Sequence, residues 1–460
     1  MSQQYSSLSE LTALAGRASA ARDRLTYLFD EGNFTELDAY AANGSELSGV
    51  ITAFGYADGN PVYAFSQDVS VRGGAVTKLQ ADKIAKVYDL AAKTGVPVVG
   101  IYDSNGADLE DGFAAMQAYG ELLLAASNLS GVVPQIAVAA GVCSGAAAML
   151  AESADITILT KDAELYTAPN SSVTNSAENA AKNGTAALVC ESDVAAVVAA
   201  KDILGRLPQN NLSPVPMYEF DAPATAFIKT ADEAAKSICD KDTVLELYPE
   251  YGTAAYTALA SLSGSTVGVA ATNKTDEKLT ADDASKIARF VRFCDAFAIP
   301  VITLVDTEGF AADSETEAAG AVKSMAKLAH AYAEATTVKI AVITGKAYGS
   351  AYIALAGKSA NADVTIALTD AVITPLAPET AVEFLNHDAL KGAADLAAER
   401  KRLAAEYAAG CASAAAAAQK GAVDIVADAE GLRAAIAASA DMLSGKRVSR
   451  LPKKHSNIQL

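Results

Sequence analysis

Two stretches of the chain follow one hydrophobic–polar script. Ile136–Met149 opens as an apolar run of strand length, reaches Gly141 and Gly145, and passes into Ala-rich sequence of helical character. Lys339–Tyr352 repeats this layout. Gly345 answers Gly141 and Gly349 answers Gly145, 204 positions apart in both cases. A strand, a tight glycine turn and a helix start leave backbone N–H groups without intrahelical partners. Small residues let a ligand approach them closely. Such a turn can hold an oxyanion without any catalytic side chain.

The pattern around each turn is repeated too. Leu8, Leu11, Ala15 and Ala18 recur at helical spacing, Arg22–Phe29 continues it, and Gly32 stops it. Gly49–Tyr56 and Pro61–Ser66 flank Ala57-Asp-Gly-Asn60, a hairpin signal. Arg72–Ala75 reads as a loop before a helix over Thr77–Thr94. Val96–Tyr102 reads as a buried strand ending in Asp103–Ala107, and a helix follows over Gly112–Ala126. The second half replays the order: Lys83 matches Lys286, Pro97 matches Pro300, Asp103 matches Asp306 and Gly106 matches Gly309, all 203 apart. After the glycine turns the spacing is 208, with Ala154–Thr157 matching Ala362–Thr365. Loop insertions between two structural copies produce such steps, so the chain is read as an internal duplication, two α/β domains of one design. The domains are placed at 1–240 and 241–460, with a Pro- and Asn-rich join over Gly205–Pro216 and the helical segment after it. Glu379–Leu443 reads as Ala-rich packing helices or a subunit interface, and Lys446–His455 as an extended basic tail.

Composition narrows the chemistry. The chain has 460 residues, 51% of them hydrophobic, enough for two or three domain cores. A net charge of −19 argues against nucleic acid or an anionic membrane surface as a partner. Met1–Ser7 is polar and lacks the basic start of a secretory leader, and the apolar region Val132–Leu150 is interrupted by Pro134, Gln135, Ser144 and glycines. A cytoplasmic location is expected, peripheral to a membrane only through a partner subunit. Five scattered cysteines and three histidines suggest free thiols and no metal site. Ser144 lies one place off a nucleophile elbow, and Cys143 in the same turn reads as a buried thiol rather than a nucleophile. No phosphate loop or dinucleotide fingerprint is present. A pair of backbone oxyanion sites remains, suited to a reaction with two developing oxyanions.

The residues also resemble a family. Asp23–Asp38, Tyr63–Asp68, Arg289–Pro300, Tyr332–Thr336, Gly345–Tyr352 and the ending Leu451–Leu460 are similar, in order, to the carboxyltransferase subunits of biotin-dependent acyl-CoA carboxylases and decarboxylases. Within that family the propionyl-CoA carboxylase β and methylmalonyl-CoA decarboxylase α types are the nearest in character. The resemblance implies a duplicated crotonase-type fold of ββα units. It implies transfer of a carboxyl group between carboxybiotin on a carrier and the α-carbon of a short-chain acyl-CoA, through an enolate held by backbone amides. The amides of Gly145 and Ala146 would hold the thioester enolate oxygen, and those of Gly349, Ser350 and Ala351 the biotin ureido oxygen. Gly73, Gly74, Ala75, Gly106, Ala107, Cys143 and Ser144 would line the acyl-CoA side. Gly309, Phe310, Tyr348, Tyr352 and Ile353 would line the biotin side.

The implied partners are a biotin carboxyl carrier protein, either a biotin carboxylase or a sodium-pumping membrane decarboxylase subunit, and further copies of the chain, as a dimer or trimer of dimers. This chain departs from the family pattern at Ala146 and Ser350, where glycines are usual. Asp108 stands where an arginine usually follows Gly-Gly-Ala, and Thr167-Ala-Pro replaces Thr-Gly-Pro. Two other readings use the same residues: a catalytically impaired structural paralogue, and a crotonase-type hydratase or isomerase with Glu110 or Glu308 as its carboxylate.

Overall fold

The computed structural model describes residues 7–43, 46–168, 172–223, 226–355, 357–358, 362–449 and 451–458. Pro169–Ser171 of the altered Thr167–Ser172 segment, Arg450 of the basic tail and the final two residues, Gln459 and Leu460, lie outside them. The chain separates into two compact units, Met1–Pro216 and Met217–Leu460. The segment 217–240, grouped above with the first half, carries the helix Ala231–Ile238. Its buried face, Ala231, Ala234, Ala235 and Ile238, packs with Tyr256 and Val267 in the second core.

Each unit is built on one sheet with the same strand order. In the first, Phe34–Leu37, Val50–Ala57 and Asn60–Gln67 pair antiparallel. Val98–Ser104, Gln135–Ser144, Ile156–Thr160 and Leu188–Cys190 then add in parallel. In the second, Leu245–Glu246, Tyr256–Leu262 and Ser265–Ala271 are followed by Val301–Thr307, Lys339–Tyr348, Val364–Leu368 and Ile425–Ala427. The predicted hairpin forms at Asp58-Gly59, both at positive φ (49° and 75°), as a two-residue turn requires. The predicted helix runs Lys78–Thr94, with the Thr77 hydroxyl accepting from the Gln80 N–H and Gly95 in the left-handed region at its end. Its apolar stripe, Ile84, Val87 and Tyr88, covers Phe65 and Tyr102, whose rings meet edge to face at 5.3 Å.

Besides the first helical pattern, which breaks into Leu8–Ala15 and Ala20–Leu28 with Ala18 between them, two features differ from the sequence reading. Gly141 and Gly345 do not open the turns; they lie inside ten-residue strands that continue to Ser144 and Tyr348. The Ala-rich stretch after Glu379 is not helical throughout. The strand Ile425–Ala427 interrupts it and joins the sheet edge, because Asp424, Ile425 and Val426 pair where Leu188–Cys190 pairs in the first unit. At three residues the strand is too short to show an alternating pattern.

Both long strands change partners along their length. Gln135–Ser144 pairs with Ile156–Thr160 over its first half and with Glu164–Tyr166 over its last residues; Lys339–Tyr348 does the same with Val364–Leu368 and Val372–Thr374. The register shifts between Tyr102 and Ser104 in one unit and between Val305 and Thr307 in the other. The residue at each irregularity is the duplicated aspartate. Asp306 Oδ1 accepts the Lys346 N–H at 2.7 Å, and Asp103 accepts the Val142 N–H. A Cβ on Gly141 or Gly345 would lie 2.3 Å from the aspartate carboxyl group. The bulge frees the aspartates' own N–H groups, which Gln67 Oε1 (3.2 Å) and Thr272 Oγ1 (3.0 Å) accept.

Lysine is buried at matching places. Lys83 Nζ donates to the Val50 carbonyl at 2.7 Å, and Lys286 Nζ to the Ala255 carbonyl at 2.8 Å, each at the start of the second sheet strand. Burial pushes both ammonium groups down to about 8.

Two outcomes follow. Gly141→Ala and Gly345→Ala are each expected to destabilise by about 1–3 kcal/mol through overpacking, read as a lower urea midpoint at unchanged slope. Between pH 8 and the unfolded lysine value near 10.5, the unfolded chain holds more protons than the folded one, so Lys83 adds stability as pH rises through that window. The stability lost from wild type to Lys83→Met is expected to be larger at pH 9.5 than at pH 7.5.

Candidate active site

At the first turn, Ser144 leads into Gly145 at φ 58°, ψ −124°, which caps the helix Ala146–Glu152. The Gly145 N–H donates to the Tyr166 carbonyl at 2.9 Å, extending the ladder between the two strands by one bond. This corrects the expectation that Gly145 supplies an oxyanion donor: its amide is consumed by strand pairing. The available donors lie in the first helical turn and begin with Ala146, since only Met149 closes back onto the Gly145 carbonyl, at 3.2 Å.

A second loop supplies another amide. The Val76 N–H donates to the Gly106 carbonyl (2.8 Å) and the Asp108 N–H to the Val76 carbonyl (3.0 Å), while Asn105 N–H donates to Gly73 (3.2 Å). These bonds straddle Ala107, whose N–H has no hydrogen-bond acceptor among the described residues. A Cβ on Gly106 would lie 3.0 Å from the Ser144 carbonyl oxygen, so this loop abuts the glycine turn. Gly74 must lack a side chain: a Cβ there would stand 2.0 Å from the Asp103 carbonyl oxygen. Gly73 and Ala75 are half-buried in the same loop.

The second unit repeats the arrangement with other side chains. The helix Gly349–Leu355 starts at Gly349 (φ 54°), with Ser350 exposed and Ala351 buried. Leu279 N–H donates to Gly309 (3.1 Å) and Ala311 N–H to Leu279 (2.8 Å), leaving the Phe310 N–H in the place of Ala107. Lys346 Nζ lies 2.7 Å from Glu308, and this contact holds the carboxyl group below its usual range and the ammonium above its own. The pair borders a polar cavity of about 470 Å³ that Asp306, Asn273 and Lys278 also line. Of the other expected residues, Phe310 and Tyr348 are buried, Tyr352 is half-buried with its hydroxyl donating to the Ala422 carbonyl (3.3 Å), and Ile353 is 57% exposed.

The floor of the first turn is apolar and ionic rather than nucleophilic. Cys143 is fully buried, and burial pushes its thiol well above the ordinary range, so it does not line the site as expected. Ser144 is buried as well. Asp103 is paired with Arg24 at 3.0 Å, and Arg24 reaches Asp193 at 2.6 Å. Burial raises the Asp103 carboxyl against the pull of Arg24. Among the described residues no group of three or more His, Cys, Asp or Glu side chains is placed to hold a metal ion. The sequence reading missed two ion pairs, Arg72–Asp108 and Lys346–Glu308. Their members are distant in sequence, and only the duplication offset could have drawn attention to those loops.

Comparison with known proteins shows the family and the fold. The Carboxyl transferase domain family matches residues 15–458. Methylmalonyl-CoA decarboxylase subunit alpha of Propionigenium modestum is 35% identical over 482 residues, covering 96% of this chain and 93% of the relative. Propionyl-CoA carboxylase beta chain of Saccharopolyspora erythraea is 35% identical over 492 residues, covering 96% and 90%. A crystal structure of transcarboxylase 12S, a hexamer assembly with methylmalonyl-coenzyme A and methylmalonic acid bound, superposes with a TM-score of 0.90 at 32% identity, covering 98% of this chain and 94% of that one. The duplicated crotonase-type fold expected from the sequence is the fold of these enzymes. No helix among the described residues is long and apolar enough to cross a membrane.

Iodoacetamide treatment of the folded protein, followed by peptide mass spectrometry, is expected to label exposed Cys411 and leave Cys143, Cys239 and Cys294 unmodified until denaturant is added. Rapid labelling of Cys143 in the native state would restore it as a candidate nucleophile.

Proposed function

The chain belongs to the carboxyl transferase family, and we propose that it moves a carboxyl group between biotin on a separate carrier protein and the α-carbon of a short-chain acyl-CoA. The observation that carries this reading is the doubled pair of backbone donors: Ala107 with Ala146 in the first unit, Phe310 with the Ser350–Ala351 helix start in the second. An enolate oxygen and a ureido oxygen are both planar, charge-accepting acceptors, and main-chain amides beside small residues fit them. We assign the acyl-CoA to the first unit and biotin to the second. When bound, biotin supplies the ureido ring that carries the carboxyl group and takes up the substrate proton. The chain's part is to orient the thioester, offer Ala107 and Ala146 N–H to its carbonyl oxygen as charge builds there, and offer Ser350 and Ala351 N–H to the ureido oxygen. No side-chain base is assigned, consistent with a fully buried Cys143 and an ion-paired Glu308.

The partners proposed are a biotin carboxyl carrier protein and further copies of this chain. The net direction depends on whether a biotin carboxylase or a sodium-pumping membrane decarboxylase subunit accompanies it, since similar relatives carry both names. Co-purification from the native source distinguishes these two.

Proline at the first helical position removes one N–H while suiting the helix start, so Ala146→Pro isolates the donor. With labelled carboxylated carrier protein and acetyl-, propionyl- and butyryl-CoA, the wild-type chain is expected to form a labelled acyl-CoA product. Ala146→Pro is expected to lose on the order of 10²–10³ in rate with oligomer size and circular dichroism unchanged. A folded wild-type chain that transfers nothing would be the impaired paralogue instead. Hydration of an enoyl-CoA without biotin would favour the hydratase reading.

A further inference from the structure

The two units share the bridge that presents Ala107 and Phe310 but fasten it by charge at different points, the first after the bridge at Asp108 and the second before it at Glu308. Arg72 sits at φ 53° in the turn Arg72–Gly74, directly before the two glycines. Its guanidinium grips Asp108 with two bonds, Nε to Oδ2 at 2.6 Å and Nη2 to Oδ1 at 3.0 Å, and Nη2 also reaches Glu110 at 2.6 Å. Asp108 is 5% exposed, and its Oδ1 further accepts the N–H groups of Glu110 and Asp111 at 2.9 and 3.0 Å. One carboxylate thus ties together the Arg72–Gly74 turn, the Gly106–Asp108 loop and the approach to the helix Phe113–Leu129. At the matching places of the second unit stand Thr275 and Ala311, which cannot form an ion pair, although the bridge through Leu279 is intact. The fold therefore does not need this pair, and its function belongs to what the first unit holds.

We propose that Arg72 and Asp108 form a positioning clamp that holds the Ala107 amide at the distance from Ala146 needed for the acyl-CoA carbonyl oxygen. This rests on the carboxyl-transfer reading. A bidentate guanidinium–carboxylate pair with a nearly buried acceptor fixes direction as well as distance. A displacement of the donor by a fraction of an ångström lowers the rate without abolishing binding, because most of a CoA ester is recognised away from the reacting carbonyl.

The test is a double-variant cycle on the full chain: Asp108→Asn, Arg72→Gln and the two together, with Glu110→Gln alongside. Propionyl-CoA and carboxylated carrier protein serve as probes. Each single variant is expected to lose about tenfold in turnover, with KM for propionyl-CoA changing less than about threefold. The double variant is expected to be no worse than either single, because the clamp is broken only once. Glu110 is 83% exposed at its side chain, and Glu110→Gln is expected within about twofold of wild type. Backbone amide exchange over 105–111 is expected to speed up in all three clamp variants. Additive losses, or turnover in Asp108→Asn within twofold of wild type, would overturn the clamp. A wild-type chain without transfer would overturn the functional reading instead, and unchanged exchange over 105–111 would then overturn the clamp by itself.

Discussion

A carboxylate pressed against a glycine sets up both halves of this protein. Asp103 at the end of one strand and Gly141 in the next cannot both keep regular sheet pairing, and neither can Asp306 and Gly345. The ladder yields by shifting register, the aspartate takes a backbone N–H of the neighbouring strand, and the long strand continues with a different partner. That change of partner brings Tyr166 to the Gly145 amide, so the following helix starts where the ladder ends. Replacing the acid or filling the glycine would therefore reach the amide donors without touching them.

The units use the same frame under different electrostatics. In the first, the aspartate is buried and neutralised by Arg24, and the loop above it is held by Arg72. In the second, the aspartate borders a polar cavity and the ion pair lies between Glu308 and Lys346, both about half exposed. Solvent weakens the second pair far more than the first. The first unit's pair has a buried carboxylate, whereas both members of the second unit's pair are open to solvent.

Much of this was legible in the sequence. The repeated Asp, Pro and Gly positions located the duplication, and the strand–glycine–helix script located both turns. What escaped has physical causes. Gly145 reads as a free donor because sequence shows its conformation but not that a distant carbonyl, Tyr166, satisfies it. Ile425–Ala427 escapes because it is only three residues long, too short to show a strand alternation, and lies inside a stretch that is otherwise Ala-rich and helical. Asp108 reads as the loss of a cation because the compensating Arg72 lies 36 positions away, across a parallel bridge.

The donors themselves are main-chain atoms, and this changes how the protein records its history. At 107, 146, 310 and 350, any residue except proline still offers an N–H, so glycine, alanine, serine and phenylalanine are interchangeable spellings of one chemical group. Under the proposed mechanism, a change at these positions keeps the donor while it reshapes the walls around it. Side-chain identity is constrained instead at Gly141 and Gly345, where a Cβ would lie 2.3 Å from the carboxyl groups of Asp103 and Asp306. A lineage built in this way can explore new acyl groups through ordinary point mutations at the reacting centre, where an enzyme with a side-chain nucleophile would lose its activity at the first step.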